Sequence, residues 1–302
     1  TNILPERLTE FLFWREMATN PRILAAQVAE QELAAQLAEA RPIRRKNTPD
    51  LSLQANSALS IFMNENGKEK VLFEKNSDTP LPMASLTKLM SALVAMEEYP
   101  TDQKIAISPT ILAEEGDTGF LRVEDVFTVK DLLYLLLIES SNDAASALAD
   151  PIGREVFVER MNEKARSLGF QNTVFFNPTG LDSDEPANYS TTRELSILTS
   201  HILGNYPQIF DILGLREFDL FTLQGEFHHT MVNTNELLHD ASWQVPILGG
   251  KTGWTPLAQG CLLLVVESPK KNGLLISVIL GSDDRFGEMR EMVDWAYQSY
   301  RW

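Results

Sequence analysis

The sequence predicts a mixed α/β fold in which an antiparallel five-stranded sheet, flanked by helices, carries an inserted all-helical lobe. Strand-like runs occur at both ends of the folded part, over about residues 57–73 and 217–280, and residues 106–215 between them are predominantly helical. Turn signals such as Asn66-Gly67 join consecutive strands, and strands joined by hairpins are antiparallel. Because sheet pieces from both ends must pair, the helical block is an insertion, and a cleft is expected where the two lobes meet.

Side-chain periodicity predicts the individual elements. Apolar residues alternate from residue 57 to 63 and return at 71–73, which is typical of a strand pair. Further β-rich runs predict the closing strands at 217–223, 228–233, 262–267 and 274–280. Helical runs are found at 132–138, 144–149, 156–168, 191–203 and 286–300. The triplet Tyr189-Ser190-Thr191 is typical of a helix cap and predicts where the fourth of these begins.

The composition changes near residue 50. Residues 1–50 are predicted to be a helical N-terminal arm and linker, rich in Ala, Glu, Gln and Leu, and residues 51–302 a folded domain with the helical lobe at about 106–215. The arm is interpreted as a spacer, with an interaction arm for dimer formation as the alternative.

Composition excludes several functions. The net charge of −16 over 302 residues argues against a nucleic-acid partner, because phosphate binding needs a basic surface. No run of 18 apolar residues predicts a transmembrane helix. Cys261 is the only cysteine, and none of the four histidines has a metal-ligand spacing, so no metal or cofactor is expected. Adjacent strand residues point to opposite faces, so the pair His228-His229 is not expected to share a ligand.

A serine stands three residues before a lysine in Ser85-Leu86-Thr87-Lys88, where an apolar helix begins. Residues i and i+3 of a helix share a face, so Ser85 Oγ and Lys88 Nζ are expected to meet. A lysine in apolar surroundings can act as a base, and a hydroxyl beside it is an activated nucleophile. The alternative is a helix start with a surface lysine, since chance supplies about one Ser-x-x-Lys in such a chain. A second one, Ser268-Pro269-Lys270-Lys271, lies in a predicted turn.

Two more stretches are compatible with the same site. Ser140-Ser141-Asn142-Asp143 follows an apolar helix and can offer a hydroxyl and an amide to a cleft, or simply cap the next helix. Gly249-Gly250-Lys251-Thr252-Gly253 precedes the last strands, and its glycines let a substrate backbone approach while Lys251 and Thr252 hold a carboxylate. A Gly-rich turn is the alternative, and a phosphate-binding loop is excluded because Val245 occupies the position of its first glycine.

In this order, Ser-x-x-Lys, Ser-x-Asn and Lys-Thr-Gly resemble the signature of penicillin-binding proteins and serine β-lactamases. The sequence is similar in particular to low-molecular-weight penicillin-binding proteins of the serine-type D-alanyl-D-alanine carboxypeptidase family. Further stretches carry the resemblance, at residues 132–134, 140–145, 157, 161–162, 168–170, 177–182, 189–191, 229–230, 233–235 and 285–286. The resemblance implies a β-lactamase/transpeptidase-like catalytic domain over 51–302.

The resemblance also implies a mechanism. Ser85 would attack the carbonyl between the two terminal D-alanines of a peptidoglycan stem peptide, and Lys88 would take its proton. Ser140 would relay a proton to the leaving amine with Lys251 nearby, and Asn142 would orient the substrate amide. β-Lactams would acylate the same serine as substrate mimics.

The remaining implied residues bind substrate. The backbone N–H groups of Ser85 and Trp254 would form the oxyanion hole. Gly253 lies between the hydrogen-bonding residues of the strand, and Thr252, Thr255 and Arg285 would hold the carboxylate. The chain departs from the family where many relatives carry a basic residue after Asn-Thr-Asn, because Glu236 stands there. This departure either weakens the carboxylate-binding side of the cleft or moves that task to the two threonines and the arginine.

Three alternatives remain open. A DD-endopeptidase that cuts peptidoglycan cross-links shares all three motifs. A serine β-lactamase would need a Glu-x-x-Leu-Asn pattern, which is absent from 160–190. A non-catalytic binder of cell-wall peptide is disfavoured because all five motif positions are intact. The substrate predicts an extracytoplasmic location, with a membrane contact only through an anchor upstream of Thr1.

Overall fold

The computed structural model describes residues 42–113, 120–182 and 186–302, together with a few isolated positions before residue 42. Its strands are β1 (Ile43–Arg44), β2 (Ser57–Asn64), β3 (Glu69–Lys75), β4 (Leu81–Pro82), β5 (Lys104–Ala106), β6 (Val126–Thr128), β7 (Tyr189–Ser190), β8 (Glu217–Phe221), β9 (Phe227–Val232), β10 (Ile247–Thr255), β11 (Gln259–Glu267), β12 (Gly273–Ser282) and β13 (Tyr300–Arg301). Its α-helices are α1 (Lys88–Glu98), α2 (Val129–Tyr134), α3 (Asn142–Ala149), α4 (Arg154–Ser167), α5 (Thr192–Asn205), α6 (Gln208–Leu213) and α7 (Arg285–Ser299).

Five strands form the central sheet in the order β10-β11-β12-β2-β3, and each neighbouring pair is antiparallel. The predicted five-stranded antiparallel sheet is therefore confirmed. Helices cover both faces, so the inner strands are apolar on both sides. On β2, Leu59 and Ile61 belong to the core shared with the helical lobe, whereas Ala58 and Phe62 belong to the core under α7.

The strands predicted near 217–223 and 228–233 do form, as β8 and β9, but they pair only with each other and stay outside the central sheet. Each has a single buried residue, Leu220 or Met231, so neither carries the apolar surface of an inner strand such as β2 or β11. β10 takes their place in the sheet. Its glycines interrupt the apolar alternation by which a strand is recognised in a sequence. A Cβ at Gly249 would lie 2.9 Å from Leu213 Cβ, so this strand needs glycine to pack against α6.

The inserted lobe consists of α1 to α6 with the small β5–β6 and β4–β7 pairs. Thr128 and Asp131 form a capping box at the start of α2, and Thr191 caps α5 by accepting from the Glu194 N–H. The predicted cap at residues 189–191 is thus confirmed. Within the described ranges, no helix combines the length and apolar character that a bilayer crossing demands.

The predicted N-terminal arm lies mostly outside the described residues. At its described end, β1 pairs with β13, although a helix end was expected there. Arg44 forms an ion pair with Asp50 at 2.5 Å and lies over the ring of Trp295 on α7. The division of the chain at residue 50 stays a prediction.

Candidate active site

Ser85 lies in a 3₁₀ turn, Ala84–Thr87, that leads directly into α1 at Lys88. This turn has three residues per turn, so side chains three positions apart stack above one another. Lys88 Nζ accordingly lies 2.9 Å from Ser85 Oγ and donates a hydrogen bond to it. The Lys88 side chain is fully buried, whereas Ser85 is partly exposed. In this geometry a desolvated lysine can take a proton from a hydroxyl that substrate can reach.

The turn that carries Ser85 is held in a strained conformation. Ala84 has a left-handed backbone with φ 46°, which is uncommon for a residue with a side chain. Gly180 packs against it so closely that a Cβ there would lie 2.1 Å from the Ala84 carbonyl oxygen. Asn188 donates to Thr87 Oγ1 at 3.0 Å, and its carbonyl accepts from the Met83 N–H at 3.2 Å. The loop before β7 therefore fixes the nucleophile's turn.

Lys88 has further acceptors in the helical lobe. Its Nζ donates to Asn142 Oδ1 at 2.8 Å and to the Thr179 carbonyl at 2.7 Å. Asn177 Oδ1 accepts from the N–H groups of Thr179 and Gly180 and so orients that carbonyl. Asn177 and Thr179 were not predicted as site residues from the sequence. The buried polar run Asn-Pro-Thr-Gly was the available signal, because such residues build turns that aim backbone groups.

Ser140 and Asn142 flank a sharp turn between two helices. A π-helical stretch, Leu135–Glu139, ends at Ser140, whose φ of 65° is left-handed. Ser141 then caps α3 by accepting from the Ala144 N–H at 3.1 Å. The motif is therefore both a helix cap and part of the site. Ser141 caps the helix, Ser140 contacts Lys251 and Asn142 contacts Lys88.

Lys251 on β10 completes the cluster. It is fully buried and donates to Ser140 Oγ at 2.8 Å and to the Thr252 carbonyl at 2.9 Å. Burial, together with the positive charges of Lys88 and Arg285, lowers the pKa of Lys251 well below its ordinary value. An ammonium group in this place gives up its proton readily, and Ser140 is the hydroxyl that lies next to it.

The edge strand β10 runs beside the nucleophile. A Cβ at Gly253 would lie 2.9 Å from the Ser85 backbone nitrogen, so only glycine allows this approach. Trp254 follows with 61% of its surface exposed. Because β10 is an edge of the sheet, one side of its backbone has no strand partner among the described residues and can pair with an extended peptide.

Arg285 lies at the start of α7 behind this strand. Its Nη1 donates to the Gly253 carbonyl at 2.9 Å, and its guanidinium stacks 4.8 Å from the Phe286 ring centroid. Burial lowers the pKa of Arg285, and the negative charge of Glu236 counteracts part of this effect. Trp254, Phe286 and Arg285 line a cavity of about 490 Å³ next to the strand.

The two predicted threonines differ in their surroundings. Thr252 Oγ1 lies 2.6 Å from Thr234 Oγ1 at the edge of the cleft. Thr255 is buried, and its hydroxyl accepts from the Ala258 N–H in the turn between β10 and β11. The structure therefore brings Ser85, Lys88, Ser140, Asn142 and Lys251 together, with Thr252, Gly253, Trp254 and Arg285 beside them. Thr255 is held by a turn, and its part in substrate binding stays a prediction without a contact to support it.

No group of three or more metal-ligating side chains is found among the described residues. Cys261 is buried in β11, and burial raises the pKa of its thiol to about 12. A thiol in this state is a poor nucleophile.

The fold is that of penicillin-binding and transpeptidase enzymes. It is similar to penicillin-binding protein D2 of Listeria monocytogenes in its cefotaxime-bound form, with a TM-score of 0.70, 30% identity and coverage of 83% of this chain and 100% of that one. It is also similar to a mutant of the Streptomyces K15 DD-transpeptidase, with a TM-score of 0.72, 29% identity and coverage of 82% and 100%.

The family of peptidase S11, D-alanyl-D-alanine carboxypeptidase, matches residues 44–284, and the chain belongs to this family. D-alanyl-D-alanine carboxypeptidase DacF of Bacillus subtilis (strain 168) is 34% identical over 265 residues, which are 84% of this chain and 65% of that protein. D-alanyl-D-alanine endopeptidase of Escherichia coli (strain K12) is 32% identical over 249 residues, with coverage of 80% and 77%. The resemblance inferred from the three motifs is thus confirmed.

Proposed function

We propose that this chain is a serine-type D-Ala-D-Ala carboxypeptidase that removes the terminal D-alanine from peptidoglycan stem peptides and is acylated by β-lactams. The observation that carries the proposal is the hydrogen bond of 2.9 Å between the buried Lys88 Nζ and Ser85 Oγ. Membership of the D-alanyl-D-alanine carboxypeptidase family supports the substrate class.

Acylation follows from the contacts around Ser85. In its neutral form Lys88 donates only to Asn142 Oδ1 and the Thr179 carbonyl, so its lone pair faces Ser85 and takes the hydroxyl proton. Ser85 Oγ then attacks the carbonyl carbon of the penultimate D-alanine. Ser140 donates a proton to the amine of the departing D-alanine and regains one from Lys251, 2.8 Å away. Asn142 Oδ1, which accepts from Lys88, fixes the direction of that lysine while its amide group orients the substrate. Water then hydrolyses the ester and restores the Ser85 hydroxyl, and the proton taken up by Lys88 returns to Lys251, so both lysines regain their starting forms.

The oxyanion is held by backbone N–H groups of Ser85 and Trp254. The close approach of Gly253 to the Ser85 nitrogen brings the two chain segments side by side, as such a pair requires. Each donor of this kind contributes ~3 kcal/mol to the stability of the transition state. The substrate carboxylate binds Thr252 and Arg285, which lie on the same part of β10 and behind it.

A second candidate is cleavage of peptide cross-links. The E. coli relative named D-alanyl-D-alanine endopeptidase is matched over 77% of its length, a larger share than the 65% of the carboxypeptidase DacF. Both reactions break a bond after D-alanine and use the same acyl-enzyme, so the leaving group alone distinguishes them.

The experiment uses a fluorescent penicillin, a pentapeptide ending in D-Ala-D-Ala and a cross-linked peptide dimer. We expect a stable adduct located on Ser85 by mass spectrometry, together with release of D-alanine from the pentapeptide. Ser85→Ala abolishes both, while Ser268→Ala, in the second Ser-x-x-Lys sequence, retains them. Absence of the adduct in the unaltered protein contradicts the proposal, and faster cleavage of the dimer favours the endopeptidase. An adduct that turns over within seconds favours a β-lactamase.

An extracytoplasmic location is part of the proposal, because stem peptides lie outside the cytoplasmic membrane. Protease added to spheroplasts is expected to digest the protein while a cytoplasmic marker stays intact. The anchor upstream of Thr1 stays a prediction, and membrane association of the full-length gene product, measured in high salt, tests it.

A further inference from the structure

Four titratable side chains form a row that ends beside Ser140. His229 Nε2 lies 3.1 Å from Glu139 Oε2, and His228 Nδ1 lies 2.7 Å from His229 Nδ1. His228 Nε2 in turn lies 3.9 Å from Asp125 Oδ2. The two histidines and Glu139 are each at most 14% exposed in their side chains. None of these four residues has a role in the mechanism described above.

The two histidines are neighbours in β9, and a regular strand would point them to opposite faces. The sequence therefore predicted that the two side chains lie on opposite faces, and this prediction is wrong because the two rings contact each other. Leu220 pairs with His229 but Phe221 pairs with Phe227, so His228 is an extra residue without a partner in β8. Such a bulge turns neighbouring side chains toward the same side. The bulge is thus the reason that the rings contact.

Hydrogen-bond chemistry fixes the protons of this row. A carboxylate can only accept, so His229 carries a proton on Nε2 toward Glu139. One proton lies between the two Nδ1 atoms, because a distance of 2.7 Å requires one donor and one acceptor. If His229 is neutral, its Nδ1 accepts and His228 donates. One further proton can be added at His228 Nε2, facing Asp125, but a second would place two N–H groups against each other.

The row is attached to the turn that presents Ser140. Glu139 is the residue immediately before Ser140 and the last one of the π-helical stretch. The carbonyl of Ile138 accepts from the Thr234 N–H at 3.2 Å, so the same stretch is bound to the segment after β9 at a second point. Ser140 itself is left-handed at φ 65°, a conformation that surrounding contacts must maintain.

We propose that the Asp125–His228–His229–Glu139 row is a positioning device that holds Ser140 against Lys251 and loosens in acid. The inference rests on the proposed function, in which Ser140 relays the proton to the leaving amine. His228 and His229 act through the Glu139 backbone and do not touch substrate.

The charged and titratable groups that face the row determine how it responds to acid. Asp125 faces His228, Glu139 faces His229, and Arg122 acts on His228 as a nearby positive charge. The rings of Phe120 and Phe127 pack against the two imidazoles edge to face. Burial, the other histidine and Arg122 lower the pKa of His228 while Asp125 raises it. A second proton added to the histidine pair places an N–H group on each of the two Nδ1 atoms, which repel each other across 2.7 Å and open the connection from β9 to Glu139.

The test measures the second-order rate of acylation by a fluorescent penicillin from about pH 5 to about pH 8. Glu139→Ala and His229→Ala lower this rate about tenfold or more at neutral pH, because Ser140 is misplaced. His229→Gln recovers most of the lost rate, since an amide can donate to Glu139 and accept from His228 without titrating. The ratio of the His229→Gln rate to the unaltered rate rises at least about threefold as the pH falls from about 7 to about 5.

His201→Gln, which removes a histidine on α5 away from this row, is the matched control and keeps the unaltered pH profile. Equal acid-side profiles for His229→Gln and the unaltered protein, or full acylation rates in both alanine variants, overturn the positioning role. A loss of rate in the alanine variants that glutamine does not rescue at any pH also overturns it. Failure of the proposed function itself is separate, because the unaltered protein would then form no adduct.

Discussion

Lys88 and Lys251 are both fully buried beside the nucleophile, and each was singled out in the sequence by its neighbours. Two lysines in one desolvated place repel each other, which is one reason for the lowered pKa of Lys251. Burial of a charged lysine is unfavourable for folding because the charge loses its hydration. The site therefore lowers the stability of the fold in order to keep reactive amines.

Lys251→Met is expected to abolish acylation and raise the free energy of unfolding at neutral pH by about 1 kcal/mol or more. The folded-state pKa of Lys251 lies below the ordinary value of 10.5. At any pH between these two pKa values, unfolding therefore takes up a proton at this lysine. Stability of the unaltered protein relative to the variant thus rises as the pH increases toward 10.5. Chemical denaturation of both proteins from neutral to alkaline pH measures this difference. A variant that is less stable than the unaltered protein at neutral pH contradicts it.

Glu236 stands where the resemblance to the family predicts a basic residue, and its charge acts on Arg285. Glu236→Gln is expected to raise the rate of acylation by an anionic penicillin about two- to fivefold, because a repelling charge is removed from beside the carboxylate site. The gain should shrink at high salt, since Glu236 is exposed. Asp211→Gln, on α6, is the control that removes a charge elsewhere. A gain independent of salt would contradict the electrostatic explanation.

At the scale of elements, the loop that precedes β7 determines where the nucleophile lies. It supplies the Thr179 carbonyl to Lys88 and packs Gly180 against Ala84. Gly180 and Gly153 both have left-handed φ values, 85° and 86°, but only Gly180 is crowded. Substitution of each glycine thus separates the effect of backbone strain on stability from the effect of the packing contact with Ala84.

Gly153→Ala is expected to destabilise the fold by about 1 kcal/mol from backbone strain alone. Gly180→Ala should lose at least about 2 kcal/mol more and slow acylation, because its Cβ displaces the Ala84 carbonyl. Thermal unfolding and the penicillin acylation rate of the two variants measure both effects. Equal losses of stability with unchanged acylation would show that the contact with Ala84 does not position Ser85.

The helices and the motif residues could be predicted from sequence because both depend on local spacing. Ser85 and Lys88 are three residues apart, and Thr191 precedes an amphipathic run that it caps. The contact of Lys88 with the loop at Asn177 was not predicted, because the acceptor is the backbone carbonyl of Thr179 and the run Asn-Pro-Thr-Gly indicates only a turn. The contact of His228 with His229 depends on a bulge, which periodicity cannot reveal.

At the scale of the whole molecule, the sheet joins segments from both ends of the domain. The two-lobed arrangement could be predicted from the order of strands and helices. Which strands belong to the sheet could not be predicted, because β8 and β9 have typical strand sequences whereas β10 has a glycine-rich sequence. Tertiary packing decides membership, because β3 joins the sheet with one buried residue, as few as β8 or β9 has.

The hydroxyls of Ser60 and Ser277 join β2 to β12 inside the sheet, 3.0 Å apart and fully buried. Either single change, Ser60→Ala or Ser277→Ala, is expected to destabilise the fold by about 1–2 kcal/mol, because the other hydroxyl loses its partner. The double variant should be about as stable as either single one or more so. Urea unfolding of the four proteins measures the coupling, and additive losses would contradict it.

The pairing of β2 with β12 has a consequence for the order in which the chain folds. These partners are 217 residues apart at the serine pair, and β12 lies between β2 and β11 in the sheet. Closing so long a loop is slow, and contacts of this kind form late. A growing chain can build the helical lobe first, but Ser85 gains Gly253 as its neighbour only after β12 has been synthesised. The nucleophile is thus made early and becomes reactive last.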